Sequence, residues 1–229
     1  MKKKFILIIL FIVIAIIFIS VDSFASSDFH IFSVTRTKET ETVEISLNIP
    51  VIIGFNNKII QKKYNKIIRN DIFDFSVKVQ KEVEEYRKEA LKYNFPFHQC
   101  SIFVDYTVYK KEKDFLSMVI EFYKFSGGAH GMTKLKSYNI DMSKGMILTL
   151  SDYLKRVKID KVHINNIIEN KIDNEPDKYF SGKMKFKSVG DDQGFYLKDN
   201  KLIVFFQLYE IAPYASGFPE FVIPLNNHK

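Results

Sequence analysis

Between residues 60 and 90, Ile60, Tyr64, Ile67, Ile68, Ile72, Phe75, Val79, Val83, Tyr86 and Ala90 recur three or four positions apart. That spacing stacks them into one apolar stripe on an α-helix of roughly 3.6 residues per turn. Lys62, Lys63, Lys66, Lys81, Glu84, Glu85 and Lys88 occupy the other sides. Such a stripe suits either a membrane surface or a sheet, and with strands adjoining it in the sequence the helix is expected to pack on them. Before the helix, ETVEISLNIPVII (41–53) alternates at Val43, Ile45, Leu47 and Ile49, which is strand periodicity. Pro50 is expected to interrupt that ladder and Gly54 to end it. After the helix, which should stop near Tyr93 and Asn94 ahead of Pro96, the stretches SIFVDYTVYK, DFLSMVIEFYKF and MTKLKSYNIDM read as strands. The charged run KKEKD (110–114) suits a hairpin turn between the first two. Strand, long helix and antiparallel meander make an α+β fold with the helix laid over one face of a sheet.

A second cycle follows. Ser143, Lys144 and Gly145 make a turn, Leu148–Leu150 a short strand, and Ser151 is an N-cap candidate. Val162, Ile164, Ile167, Ile168, Ile172 and Tyr179 mark a helix over 160–180. Strands are expected at Phe195–Leu197, Lys201–Leu208 and Glu220–Leu225, the first two joined by Lys198, Asp199 and Asn200. With no Pro- or Gly-rich linker, the expected organisation is two interlocked α+β subdomains, 26–142 and 143–229, each with an antiparallel sheet packed by a helix.

The start of the chain bears on location. Lys2, Lys3 and Lys4 precede an apolar run from Phe5 to Val21, and Ser23, Phe24 and Ala25 place small residues around a cut after Ala25. This is the layout of a secretory signal peptide, residues 1–25. The apolar run is also long enough to be read as an uncleaved membrane anchor, residues 5–21. Both readings place the remainder outside the cytoplasm, with the lysines inside. The formal net charge of +7 suits association with anionic wall polymers or lipid headgroups, or simply a lysine-rich solvated surface. No run of like charge resembles a nucleic-acid-binding tail, so nucleic acid is not an expected partner. Cys100 is the only cysteine, which excludes an intramolecular disulfide, and its apolar surroundings predict a buried thiol.

Two stretches stand out from this scaffold. In FSGGAHG (125–131) three of the nine glycines surround His130. Gly127 and Gly128 between strands signal a bend with positive φ, and His130 between small residues is open to a ligand. The other is VFFQLYEIAPYASG (204–217), where Glu210 sits in apolar company beside Tyr209 and Tyr214. That carboxylate must accept from backbone or tyrosine donors or titrate high, and the former is expected. Gly127, Gly128, His130, Tyr209, Glu210 and Tyr214 are the candidate binding residues. No catalytic residue is assigned, since His130 has no nucleophile elbow beside it. A hydrolase using His130 and Glu210 is the rival reading. No metal and no cofactor are expected: the five histidines lack metal-ligand spacing, DNEPD (173–177) lacks the glycine and the twelfth-position glutamate of a calcium loop, and GDDQG (190–194) reads as a plain turn.

The residues Gly127–Gly131, Tyr138, Asn139, Asp141, Gly145, Leu148–Leu150 and Asp152, then Phe205, Phe206, Tyr209–Gly217, Ile223 and Pro224, carry a resemblance. The chain resembles the pair of extracytoplasmic domains of Gram-positive bacteria called RsiV-like and PdaC-like, found in an anti-sigma-factor ectodomain and ahead of a peptidoglycan deacetylase domain. The resemblance implies an exported binding module acting on lysozyme or wall glycan. With four residues before the apolar run, a sigma-factor-binding role is not expected of this chain, and neither is a deacetylase activity.

Overall fold

The computed structural model describes residues 29–225, so the leader readings, 1–25 and 5–21, fall outside the described residues. The apolar stripe forms one helix, α1 (Lys58–Tyr93). The Asn57 side chain caps its start by accepting from the Ile59 and Ile60 N–H groups, and Asn94 ends it in the left-handed conformation. Before it run β1 (His30–Glu39) and β2 (Val43–Ile53); after it run β3 (Cys100–Glu112), β4 (Phe115–Phe125), β5 (Met132–Asp141) and the short β6 (Met146–Ile147). These six strands form one sheet in sequence order. The sheet is mixed rather than antiparallel throughout: β2 and β3 run parallel, because α1 returns the chain to the same end before β3 begins.

In two places this half differs from the sequence pattern. Residues 30–39 form a strand that alternation does not reveal, because β1 is an edge strand with nearly every residue exposed. Pro50 does not break the ladder; β2 continues to Ile53. Pairing with β3 ends at Leu47, so Pro50 lies where one edge of β2 is already free of a partner.

In the second half, Leu150 starts a helix rather than ending a strand: α2 (Leu150–Val157) is capped by Thr149, not Ser151. The Thr149 hydroxyl accepts from the Asp152 N–H while the Asp152 carboxylate accepts from the Thr149 N–H. The following helix, α3 (Lys161–Asn174), is capped by Asp160 and stops short of Pro176. Then β7 (Phe195–Lys198), β8 (Lys201–Phe205) and β9 (Glu220–Pro224) form a three-stranded antiparallel sheet. Strand β8 is shorter than expected, ending at Phe205.

Strand alternation sorts the side chains between layers. Leu116, Met118, Ile120 and Phe122 of β4 pack with Ile68, Ile72 and Val79 of α1 in the first core. The intervening Val119 meets Tyr196, Ile203 and Phe205 of the small sheet. The far side of the small sheet, with Phe195, Leu197, Leu202, Val204 and Phe221, packs on Leu154, Ile164 and Ile168 of α2 and α3. The fold is therefore α+β, as the alternation of patterns implies.

A buried polar bracket joins the sheets. Ser117 donates to the Asn139 side-chain oxygen at 2.6 Å, Asn139 donates to the Phe195 carbonyl at 2.8 Å, and the Leu197 N–H donates to Ser117 at 2.9 Å. Strand β7 is an edge, and these side chains of β4 and β5 satisfy groups that a neighbouring strand would otherwise pair. Close by, Asp141 accepts from Ser143, the Lys144 N–H and Arg156, fixing the 143–145 turn and α2. Burial alone would raise its carboxyl, but these donors outweigh it and hold the group below the usual carboxylate range.

Candidate functional site

The two unusual stretches, far apart in sequence, meet at the rim of β5. Strand β6 pairs only with Ile140 and Asp141, leaving the rest of that edge of β5 open. The Gln207 side chain fills part of it, accepting from the Leu135 N–H at 3.0 Å and donating to the Leu135 carbonyl at 2.8 Å. A side-chain amide thus stands in for one strand residue and anchors the 206–217 segment against the glycine–histidine loop.

On this anchor an aromatic cluster assembles. The His130 and Tyr214 rings stack with centroids 4.3 Å apart, and Tyr209 lies 5.7 Å from Tyr214. His130 Nδ1 is 2.9 Å from the Gly131 carbonyl, which can only accept, so the neutral ring carries its proton on Nδ1. Nε2 is then the acceptor facing the Tyr209 hydroxyl at 3.4 Å. The Tyr214 hydroxyl donates to the same Gly131 carbonyl at 3.2 Å. Tyr209 and Tyr214 remain 42% and 36% exposed, so the cluster presents open ring surface.

Tyr209 has φ +64, a left-handed conformation that a bulky side chain rarely adopts. Such a conformation persists only where the surroundings enforce it, and it is a recurrent mark of functional segments. Here Gln207 is fixed to β5, and the Glu210 carboxylate accepts from the Gln207 N–H at 2.7 Å, closing the turn around Tyr209.

The candidate residues therefore divide. His130, Tyr209 and Tyr214 come together. Glu210 is exposed rather than surrounded by apolar groups, and it takes the backbone-acceptor role. Both ring nitrogens of His130 face groups other than Glu210, so the two do not pair directly. Gly127 and Gly128 have φ +90 and +104, and a β-carbon on Gly127 would lie 2.8 Å from the Tyr86 ring of α1. Their part is to turn the chain so that His130 reaches Tyr214. Gln207 was not legible as a site residue; its only signal is a polar residue interrupting the apolar run VFFQLY.

Elsewhere, Cys100 is buried, and burial pushes its thiol up. Residues 173–177 form the end of α3 and a short 3-10 turn, with Glu175 paired to Lys178 at 2.9 Å. Among the described residues, no group of three or more His, Cys, Asp or Glu side chains is arranged to hold a metal. None of the described helices is long and apolar enough to cross a membrane.

Gly128→Val is expected to lower stability by about 1–2 kcal/mol through its positive φ alone, since a side chain there meets open space. That corresponds to roughly 2–8 °C in melting temperature for a chain of this size. His130→Ala, at the surface, should shift the melt by less than about 2 °C. Thermal melts of the two variants separate scaffold from chemistry. A wild-type melt for Gly128→Val together with loss of a hydrolytic activity in His130→Ala would establish the enzyme reading instead.

Comparison with known proteins finds separate similarities in the two halves of the chain. The family model described as Deacetylase PdaC matches residues 36–133, and that described as Protein of unknown function (DUF3298) matches residues 148–226. The anti-sigma-V factor RsiV of Bacillus subtilis (strain 168) is 27% identical over 198 residues, 82% of this chain and 65% of RsiV. The peptidoglycan-N-acetylmuramic acid deacetylase PdaC of the same organism is 25% identical over 155 residues, 64% of this chain and 33% of the deacetylase. The chain thus spans just under two thirds of one relative and a third of the other. Two crystal structures of DUF3298 family proteins share the fold at 18% identity. The one from Bacteroides fragilis has a TM-score of 0.64, with 87% of this chain and 90% of that chain covered. The one from Pseudomonas aeruginosa PAO1 has a TM-score of 0.52, with 86% and 89% covered. His130 falls in the first matched region, Tyr209 and Tyr214 in the second, so the aromatic cluster forms where the two meet. The chain is similar to the PdaC model over residues 36–133 and to the DUF3298 model over residues 148–226, the pairing that its glycine–histidine and YEIAPYASG stretches imply.

Proposed function

We propose that this protein is an exported binding module of the cell envelope, without catalytic activity of its own, and that the His130–Tyr209–Tyr214 cluster is its contact surface. The observation that carries this reading is the cluster itself: open aromatic faces held by a strained Tyr209 and a pinned Gln207 at the junction of two matched regions. Exposed, rigid aromatic rings with polar edges suit both sugar rings and protein surfaces. The relatives' names, an anti-sigma factor and a peptidoglycan deacetylase, support an envelope role. The candidate ligands are wall glycan and lysozyme.

Titration of the protein with lysozyme and, separately, with soluble wall glycan tests the reading. Tyr214→Ala removes the ring on which His130 stacks and should weaken binding of the true ligand by about tenfold or more, the behaviour of an aromatic hot spot. Tyr214→Phe, which keeps the ring, should bind within about threefold of wild type. Unchanged affinity in Tyr214→Ala for a ligand that does bind would move the contact surface elsewhere.

A further inference from the structure

Helix α1 is charged differently on its two flanks. On the flank toward β5, Asp71 pairs with Lys136 at 2.7 Å and accepts from Tyr138, while Glu82 pairs with Lys124. At about 100° per residue, Lys58, Lys62, Lys66 and Arg69 share the opposite flank. The first acidic residue to follow them on that flank is Glu84, more than three turns on. All four cations are exposed, and among the described residues none forms an ion pair. Lys62, Lys66 and Arg69 line a groove against Ile49, Pro50 and Val51 of β2.

Beside this cationic flank the sheet is uncovered. Helix α1 packs over β2, β3 and β4, and edge strand β1 is exposed along nearly its whole length. The register places Phe32 opposite Val51 and His30 opposite Ile53. Phe32 is 53% and Ile53 40% exposed, and Ile59 on the first turn of α1 is 81% exposed. Cations therefore stand next to protruding apolar side chains at one end of the molecule.

That end is also where the described residues begin. Phe29 is fully buried, its ring edge-on to Phe55 and its carbonyl held by Lys111 at 2.9 Å. Only seven residues separate Phe29 from Val21, the last residue of the apolar run. Fully extended they reach about 25 Å, so a membrane-embedded run keeps this end of the module close to the bilayer.

We propose that the Lys58–Arg69 flank, with its apolar rim of Phe32, Ile53 and Ile59, docks on an anionic lipid surface. Basic side chains beside apolar ones match a headgroup interface: the cations meet lipid phosphates while the rim enters the acyl boundary. Each basic group near such a surface contributes roughly a fivefold gain in partitioning, lost at high salt. The face shares no residue with the His130–Tyr214 cluster, so either assignment can fail without the other.

The test is lysine footprinting of the full chain reconstituted in vesicles, with a membrane-impermeant acylating reagent and mass spectrometry. In phosphatidylglycerol-containing vesicles Lys58, Lys62 and Lys66 should react at least about fivefold more slowly than in pure phosphatidylcholine vesicles, with Lys187 and Lys201 unchanged. About 0.5 M salt should abolish the difference. Lys66→Glu/Arg69→Glu should lose it at Lys58 and Lys62, and Phe32→Ser/Ile59→Ser should weaken it. Equal reactivity in the two vesicle types overturns the proposal. So does equal protection by soluble poly(glycerol phosphate) that Phe32→Ser/Ile59→Ser leaves intact, since a flexible polyanion needs no apolar rim.

Discussion

Asn139→Ala is expected to lower the melting temperature by roughly 6–12 °C, corresponding to about 3 kcal/mol in a chain of this size. The side chain is 1% exposed and makes two bonds that water cannot replace: it donates to the Phe195 carbonyl at 2.8 Å and accepts from Ser117 at 2.6 Å. Alanine leaves that buried carbonyl unpaired, at about 1–3 kcal/mol, and removes side-chain volume that the packed surroundings only partly recover. Because Ser117 also accepts from the Leu197 N–H, Ser117→Ala draws on the same network. The double variant should therefore cost less than the two singles together, a coupling of about 0.5 kcal/mol or more. Urea unfolding of the three variants measures this. Additive losses, or an Asn139→Ala melt within about 2 °C of wild type, would show that the bracket does not hold β7 to the large sheet.

Gly194→Val is expected to be the next most damaging change, by about 2–3 kcal/mol, the range of an overpacked core. The Gly194 carbonyl accepts from the Phe205 N–H at 2.9 Å, which holds the two backbones together. A β-carbon at Gly194 would overlap the Phe205 ring, which is 1% exposed and packed against Val119, Tyr196 and Ile203. The ring therefore has nowhere to go. Phe205→Leu, neutral to harmful alone, should recover part of the loss when combined with Gly194→Ala. No recovery in thermal melts would place the cause elsewhere than this contact.

These two positions show where sequence reading runs out. GDDQG reads as a plain turn, and nothing local distinguishes Gly194 from a loop glycine; its constraint is an aromatic ring eleven residues later. Asn139 and Ser117 look like polar interruptions in apolar strands. Only the edge of β7, arriving from a distant part of the chain, gives them a reason to be polar and buried. The same holds at the site. The glycine–histidine and YEIAPYASG stretches are conspicuous by composition, and the positive φ of Gly127 and Gly128 follows from glycine itself. That His130 stacks on Tyr214, that Glu210 closes its own turn rather than facing His130, and that Gln207 holds the segment to β5 are not legible.

What the sequence determined by itself is whatever has a short physical range. The stripe from Ile60 to Ala90 sets α1, because periodicity near 3.6 leaves no other conformation that buries those side chains together. Alternation sets β2 to β5 and the faces they turn to α1, and so sets the α+β class. Tertiary structure decided what depends on a free edge. The exposed strand β1 exists because β2 offers it hydrogen-bonding groups, and Pro50 is tolerated because the pairing of β2 with β3 has already ended at Leu47. Unpaired edges on β5 and β7 take their bonds from Gln207, Ser117 and Asn139. Backbone groups must be satisfied wherever they are buried, but which side chain arrives to do so is settled only when distant segments pack.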